Sequence, residues 1–474
     1  MENLTSNDIV LYVNGQFQGT RGFQELEAHL PTEAGRLVSG IIEKSQGVFL
    51  WVSVVVLLLR EGLTEGDTIS DLQKVLETLP SDLEELYQSF WDTIKPQYVG
   101  HASRLFQIHQ VSTTTLDVVT FWLADEDNAL SEDINVLKDQ RRLHIFQIMR
   151  RRLNSRTRGL LEISVDGTVD YLHRTVRDWI VPLWNVILSK SPPGFDPHLA
   201  MLKALAVEVS NSSYWGEGPA SMSFEFWGRV SLCFYHAAST KDLQRNLPLL
   251  VQALDRMDAD LDTVSKTCVY PNGTSPLYRN TASASMNLSL KHAAPPHWST
   301  SQYTQTEGSF DNTFVGLAAQ FAVLPYVREK ISRYPALLHH STSTHSILSC
   351  AILGFRYFSR PDIADITDIA AFSDEEIFAV RIELVRLLLG KGALALQPKE
   401  SQYFPRDMPT REEIRKNAEI YRTICQQGDE IAASEYWNKV GELFDGQMEK
   451  ERESLVKGQK RPFLSRLFKK KVKK

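Results

Sequence analysis

A mainly α-helical chain carrying one winged-helix-like unit is predicted by three observations. Apolar residues recur at i, i+3, i+4 and i+7 over most of the sequence, one segment at 160–172 switches to strand-like alternation, and capping or breaking residues fall at the ends of the periodic runs. The run Gly47 to Leu59 is the most apolar. A membrane-spanning helix needs about 20 apolar residues, so this shorter run predicts a buried helix. Ser70-x-x-Gln73 opens a helix with Leu72, Val75, Leu76 and Leu79 on one face, and Pro80 ends it. Ser81-x-x-Glu84 forms a second capping box, followed by Leu83, Leu86, Tyr87, Phe90, Trp91 and Ile94 at helical spacing.

Helical spacing continues through 102–110 and 116–124, and after an acidic loop at 125–133 through 141–153. Leu160 to Leu172 then reads as two strands joined at Asp166-Gly167, a dipeptide suited to a two-residue hairpin turn. Helices followed by one hairpin predict a winged helix. His173 to Leu188 returns to helical spacing, and Ser191-Pro-Pro-Gly194 closes the unit.

Further on, 195–262 is helical, 263–313 is a Ser/Thr-rich linker or long loop, and helices resume at 314–333 and 378–389. Leu384 to Ala393 looks like the end of one ankyrin unit, but stacked repeats need about three copies, so it predicts a single helix with a glycine cap. A charged helical arm occupies 401–456. The domain division is therefore 1–66, 67–190, 195–262, 263–313, 314–400, 401–456 and a basic tail at 457–474.

With 474 residues, 43% of them hydrophobic and 23% charged, the composition is that of a globular protein with several packed units. Cys233, Cys268, Cys350 and Cys425 are widely spaced and include no C-x-x-C pair, which points away from zinc and disulfides and towards a reducing, cytoplasmic setting. The start, MENLTSNDIV, has no secretory signal pattern. The net charge of -6 divides into +9 on residues 457–474 and -15 on the rest. Nucleic-acid or anionic-membrane affinity would then reside in the tail, whose Phe463, Leu464, Leu467 and Phe468 share one side of a helix.

No G-x-x-x-x-G-K-[ST] loop and no apolar strand ending in a magnesium-binding aspartate occur, so phosphoryl transfer has no anchor. The nucleophile-elbow, zinc-protease and dinucleotide patterns are absent too, and neither a catalytic set nor a cofactor is expected. His173 falls where the hairpin enters a helix, and its imidazole there either hydrogen-bonds a phosphate or ties the hairpin to the helix. Seven arginines between Arg141 and Arg158 either grip phosphates or form a solvated face paired with the acidic loop before them.

Four segments, Leu4 to Val13, Ile41 to Val52, Leu79-Pro-Ser-Asp-Leu-Glu-Glu-Leu-Tyr87 and Tyr171-Leu-His-Arg-Thr-Val-Arg-Asp178, together resemble fungal NACHT proteins, in the parts that follow the nucleotide-binding core. The resemblance covers roughly residues 1 to 190 and implies a helical lid remnant at 1–66 and a winged-helix-like unit after it. Phe195 to Ala200, Phe314 to Phe321 and Leu384 to Ala393 look like that family's helical extension. Leu172-His173-Arg174 resembles the Met-His-Asp motif of the wider STAND ATPases, departing from it at Arg174. The resemblance implies that His173 and Arg174 are nucleotide-sensor-like.

Without a phosphate-binding subdomain, either the reading frame continues upstream of Met1 or the chain is an NTPase-less relative. The expected function is a non-catalytic regulatory or protein-interaction module, with non-self recognition or cell-death signalling implied by the resemblance and a NACHT NTPase as one partner. Two alternatives are a half that completes a nucleotide-dependent switch in trans and a winged-helix nucleic-acid binder.

Overall fold

The computed structural model describes residues 2–131, 139–210, 224–267, 297–299, 313–339, 346–358, 374–393 and 430–456. The basic tail, residues 401–429 of the charged arm and most of the 263–313 segment lie outside these. Among the described residues the fold is mainly α, with one small antiparallel sheet. The chain forms two compact units. Unit 1 holds Met1–Gln110, Thr115–Val118 and Leu143–Phe195; unit 2 holds Val111–Thr114, Val119–Arg142 and Asp196–Lys474.

Unit 1 begins with α1 (Glu2–Gln18), α2 (Arg21–His29), α3 (Pro31–Ser45), α4 (Phe49–Glu65), α5 (Ile69–Thr78) and α6 (Leu83–Asp92). The apolar run forms α4, and its Trp51, Val52, Val55 and Leu59 are fully buried. Among the described residues no helix is long and apolar enough to cross a membrane. Trp51 satisfies its indole N–H on the Pro80 carbonyl at 2.7 Å, so burying the ring strands no donor. Lys44 on α3 donates to the Leu76 and Glu77 carbonyls, both at 2.8 Å, and so places a cation at the C-terminal end of α5.

Both caps differ from the sequence expectation. Thr68, not Ser70, caps α5: its hydroxyl accepts from Asp71 N at 3.3 Å while the Asp71 carboxylate accepts from Thr68 N at 3.3 Å. Asp82, not Ser81, caps α6, accepting from Glu84 N at 2.9 Å and Glu85 N at 3.0 Å. At α6 a charged carboxylate takes both orphan amides, which it binds more strongly than a hydroxyl would, whereas at α5 hydroxyl and carboxylate share the cap reciprocally.

Next come α7 (Pro96–Val111), β1 (Leu116–Asp117), α8 (Val118–Asp125), α9 (Asp139–Thr157), β2 (Leu161–Ile163) and β3 (Thr168–Tyr171). The strands lie in the order β1-β3-β2, all antiparallel, with Leu116 opposite Val169 and Leu161 opposite Tyr171. This chain order and sheet order are those of a winged helix. Leu116 and Asp117 form a strand where helical spacing had been expected; a two-residue strand carries no period and exists only because β3 offers its second edge. The turn also differs. Ser164 and Thr168 close a three-residue loop in which Gly167 adopts φ +86, in place of a two-residue Asp-Gly turn.

After the hairpin, α10 (Arg174–Ile180) and α11 (Trp184–Ser189) replace the single helix expected, because Pro182 interrupts the backbone ladder. In unit 2, α12 (Pro197–Val209) packs on α13 (Phe224–Ser239) and α14 (Leu243–Thr267). There follow α15 (Phe314–Gln320), α16 (Leu324–Arg333), α17 (Ile347–Phe358), α18 (Asp374–Gly390) and α19 (Glu430–Val456). The glycine cap of α18 is present: Gly392 has φ +100, and Ala393 N reaches the Leu388 carbonyl at 3.0 Å.

Arg381 of α18 is only 6% exposed and donates to the carbonyls of Ala351 in α17 (3.0 Å) and Gln320 in α15 (2.5 Å). Gly354 kinks α17 beneath it at φ +73, and a Cβ there would lie 2.6 Å from the Arg381 guanidinium. Gly354→Ala therefore meets both a left-handed backbone and a clash, and is expected to cost about 2 kcal/mol. The midpoint of urea unfolding measures it; a midpoint equal to wild type would show that neither constraint operates.

Candidate functional site

His173 stands in extended backbone (φ -159, ψ 158) as the N-cap of α10. Its Nδ1 accepts the Thr175 backbone N–H at 3.3 Å and lies 3.0 Å from the Thr175 hydroxyl. That hydroxyl in turn meets the Tyr87 phenol of α6 at 2.8 Å. Because Nδ1 receives an amide hydrogen, the neutral ring carries its proton on Nε2. Both His173 and Arg174 are exposed. The ring thus ties hairpin to helix through one nitrogen and presents an N–H donor outward through the other. α10 is fixed from its other side by Tyr87 and Trp179, whose rings are 5.9 Å apart.

Two arginines, Arg156 near the end of α9 and Arg158 just after it, are engaged within unit 1. Arg156 lies over the Tyr98 ring at 4.0 Å, and Arg158 is 3.9 Å from Glu61. Glu162 on β2 has its carboxyl pKa raised by burial and partly brought back by Arg150. The hairpin itself bears Glu162, Asp166 and Asp170. Asp170 also pairs with His109 at 3.2 Å, an imidazole whose pKa burial lowers. An acidic wing repels a phosphodiester backbone.

Unit 2 contains a groove of about 640 Å³ that sequence reading did not anticipate. Asp255, Asp258 and Asp262 face it from α14 at i, i+3 and i+7, and Tyr326 and Lys330 of α16 face it from the opposite side. Asp255 accepts from the Tyr326 phenol at 2.7 Å and from Lys330 Nζ at 2.6 Å. Burial, then the adjoining Asp255, raise the Tyr326 pKa, so the phenol stays protonated. Asp258 Oδ1 accepts from His297 Nε2 at 2.9 Å and from the Trp298 indole at 2.8 Å.

His297 Nδ1 continues to the Ser299 hydroxyl at 2.7 Å, so the contacts run Asp, His, Ser as in an activated nucleophile. Yet Ser299 is fully buried, and its backbone N–H also reaches Nδ1 at 3.3 Å. The serine closes a tight turn and has no path to a substrate carbonyl. His297 and Trp298 fall inside the segment read as linker; the aspartate spacing on α14 was visible, but its partners lie about 40 residues further along the chain. Among the described residues, no group of three or more His, Cys, Asp or Glu side chains could hold a metal ion.

Residues 93–217 match the model of a domain of unknown function, DUF7791. That stretch covers α7 to α12, including the hairpin, His173 and Arg174. No curated protein and no solved structure provides a match.

If His173 serves α10 as a cap, His173→Ala should lower stability by about 1 kcal/mol, whereas His173→Asn, a good N-cap, should cost little. Chemical unfolding of both variants measures this. Equal losses in the two would remove the capping role.

Proposed function

We propose that the chain is a non-catalytic regulatory and protein-interaction module related to NACHT signalling proteins, acting by binding in the cytoplasm. The observation that carries this reading is the junction after the hairpin of the winged-helix-like unit. There, at the position resembling the STAND histidine motif, His173 spends Nδ1 on the helix cap and offers Nε2–H to the outside beside Arg174. Such a pair donates hydrogen bonds and positive charge to an anionic or carbonyl-rich partner. The acidic hairpin favours a protein partner over nucleic acid. A role in non-self recognition or cell-death signalling enters from the resemblance alone.

The outward Nε2–H also favours a second reading, in which the junction meets the nucleotide of a P-loop-bearing NACHT protein in trans. The two are separated by phosphate release from ATP and GTP with Mg2+. The purified full chain alone should stay at the buffer background. Release above background that survives both His173→Ala and Arg174→Ala would overturn the non-catalytic reading. Faster hydrolysis by a co-purified NACHT NTPase on adding wild-type chain, but not His173→Ala, would select the trans reading.

A further inference from the structure

At the start of unit 2's helical stack, two imidazoles face each other through the same kind of nitrogen. His198, in the first turn of α12, and His236, in the last turn of α13, place their Nδ1 atoms 3.0 Å apart, with ring centroids at 5.2 Å. His236 is 1% exposed. A hydrogen bond between two Nδ1 atoms holds one hydrogen: one ring donates and the other must keep a bare lone pair. Protonating that lone pair sets two N–H groups against each other at 3.0 Å. Protonating the donor ring instead puts a cation against a buried imidazole.

The surroundings offer one counter-charge. Asp196 favours a charged His198, and Lys241 opposes it. Tyr235 lies edge-on to both rings, 5.8 Å from His198 and 5.0 Å from His236, and the Glu376 carboxylate of α18 is near enough to help raise the Tyr235 pKa, after burial. The carboxylate of Asp196 is already committed: it caps α12 through His198 N (2.9 Å) and Leu199 N (3.1 Å), and accepts Lys241 N (2.6 Å) and Asn246 Nδ2 (3.3 Å).

We propose that the His198–His236 contact is an acid-operated latch between α12 and α13, closed when the pair shares one hydrogen and released when the pair takes up further protons. The inference is independent of the proposed function. Burial lowers the pKa of both rings, that of His236 to about 3 with the neighbouring His198 as second cause. In the unfolded chain each would titrate at about 6.5. The folded form therefore excludes protons that the open form binds. The latch's contribution is whole above about pH 6.5 and declines as pH falls from there towards about 3.

Hydrogen exchange of the full chain, corrected for the intrinsic rate, tests this at pH 6.5 and 5.5. Protection of 197–209 and 224–239 should fall about fivefold for each excluded proton over that interval, because the open form is already half protonated at about pH 6.5, while 49–65 in unit 1 stays constant. His198→Gln should weaken that pH dependence. If the variant does not fold, imidazole nitrogen titration of the wild type decides: one Nδ1–H, and both rings titrating well below 6.5. Equal protection at the two pH values, loss shared by 49–65, or either ring titrating near 6.5 with both helices still protected would overturn the latch.

Discussion

The arrangement of α12, α13 and α14 in unit 2 depends on one carboxylate. Asp196 takes two amides at the head of α12 and two further donors, Lys241 N and Asn246 Nδ2, from the connection between α13 and α14 and from the start of α14. It is 8% exposed, so its charge is tolerable only because four N–H groups surround it. By fixing the start of α12 against the end of α13, it also fixes His198 against His236. Asn246 secures the same corner by donating to the Lys241 carbonyl at 2.8 Å.

Unit 1 uses a different device for an equivalent problem, joining a hairpin to the helix that follows. The Tyr87 phenol, the Thr175 hydroxyl and the His173 ring form a short relay from α6 to the head of α10. Burial raises the Tyr87 pKa, so its phenol remains a neutral hydrogen-bonding group. The relay explains why a histidine in this position is exposed and yet held in one orientation. Chemistry available to a partner is set by that orientation: Nε2–H and the Arg174 guanidinium are what it can meet.

Polar groups elsewhere are mostly neutralised in place. Asp255 is met by Tyr326 and Lys330, Asp258 by His297 and Trp298, and the buried Glu208 of α12 by Thr120 at 2.7 Å and Arg229 at 3.4 Å. Such networks hold helices in register more than they create reactivity, since each acceptor already has its donor. The Asp258–His297–Ser299 sequence of contacts illustrates the distinction: its order resembles a catalytic relay, but burial of the serine makes it a fastening.

Periodicity alone determined that the chain is mainly helical, that one hairpin interrupts it, that the apolar run Gly47 to Leu59 is a helix interior, and that a glycine ends α18. Each of these is a property of neighbours within a turn or two, where side-chain spacing and backbone freedom decide. Only the tertiary structure decided the rest. β1 is a strand because β3 lies beside it, Thr68 and Asp82 won the caps by competition among adjacent acceptors, and Asp258 found Trp298 about 40 residues further along the chain. His198 and His236, separated by 38 positions, carry no mark of one another in the sequence. Long-range pairs of this kind depend on the closure of loops whose composition does not encode where they end, so their geometry appears only when the helices are packed.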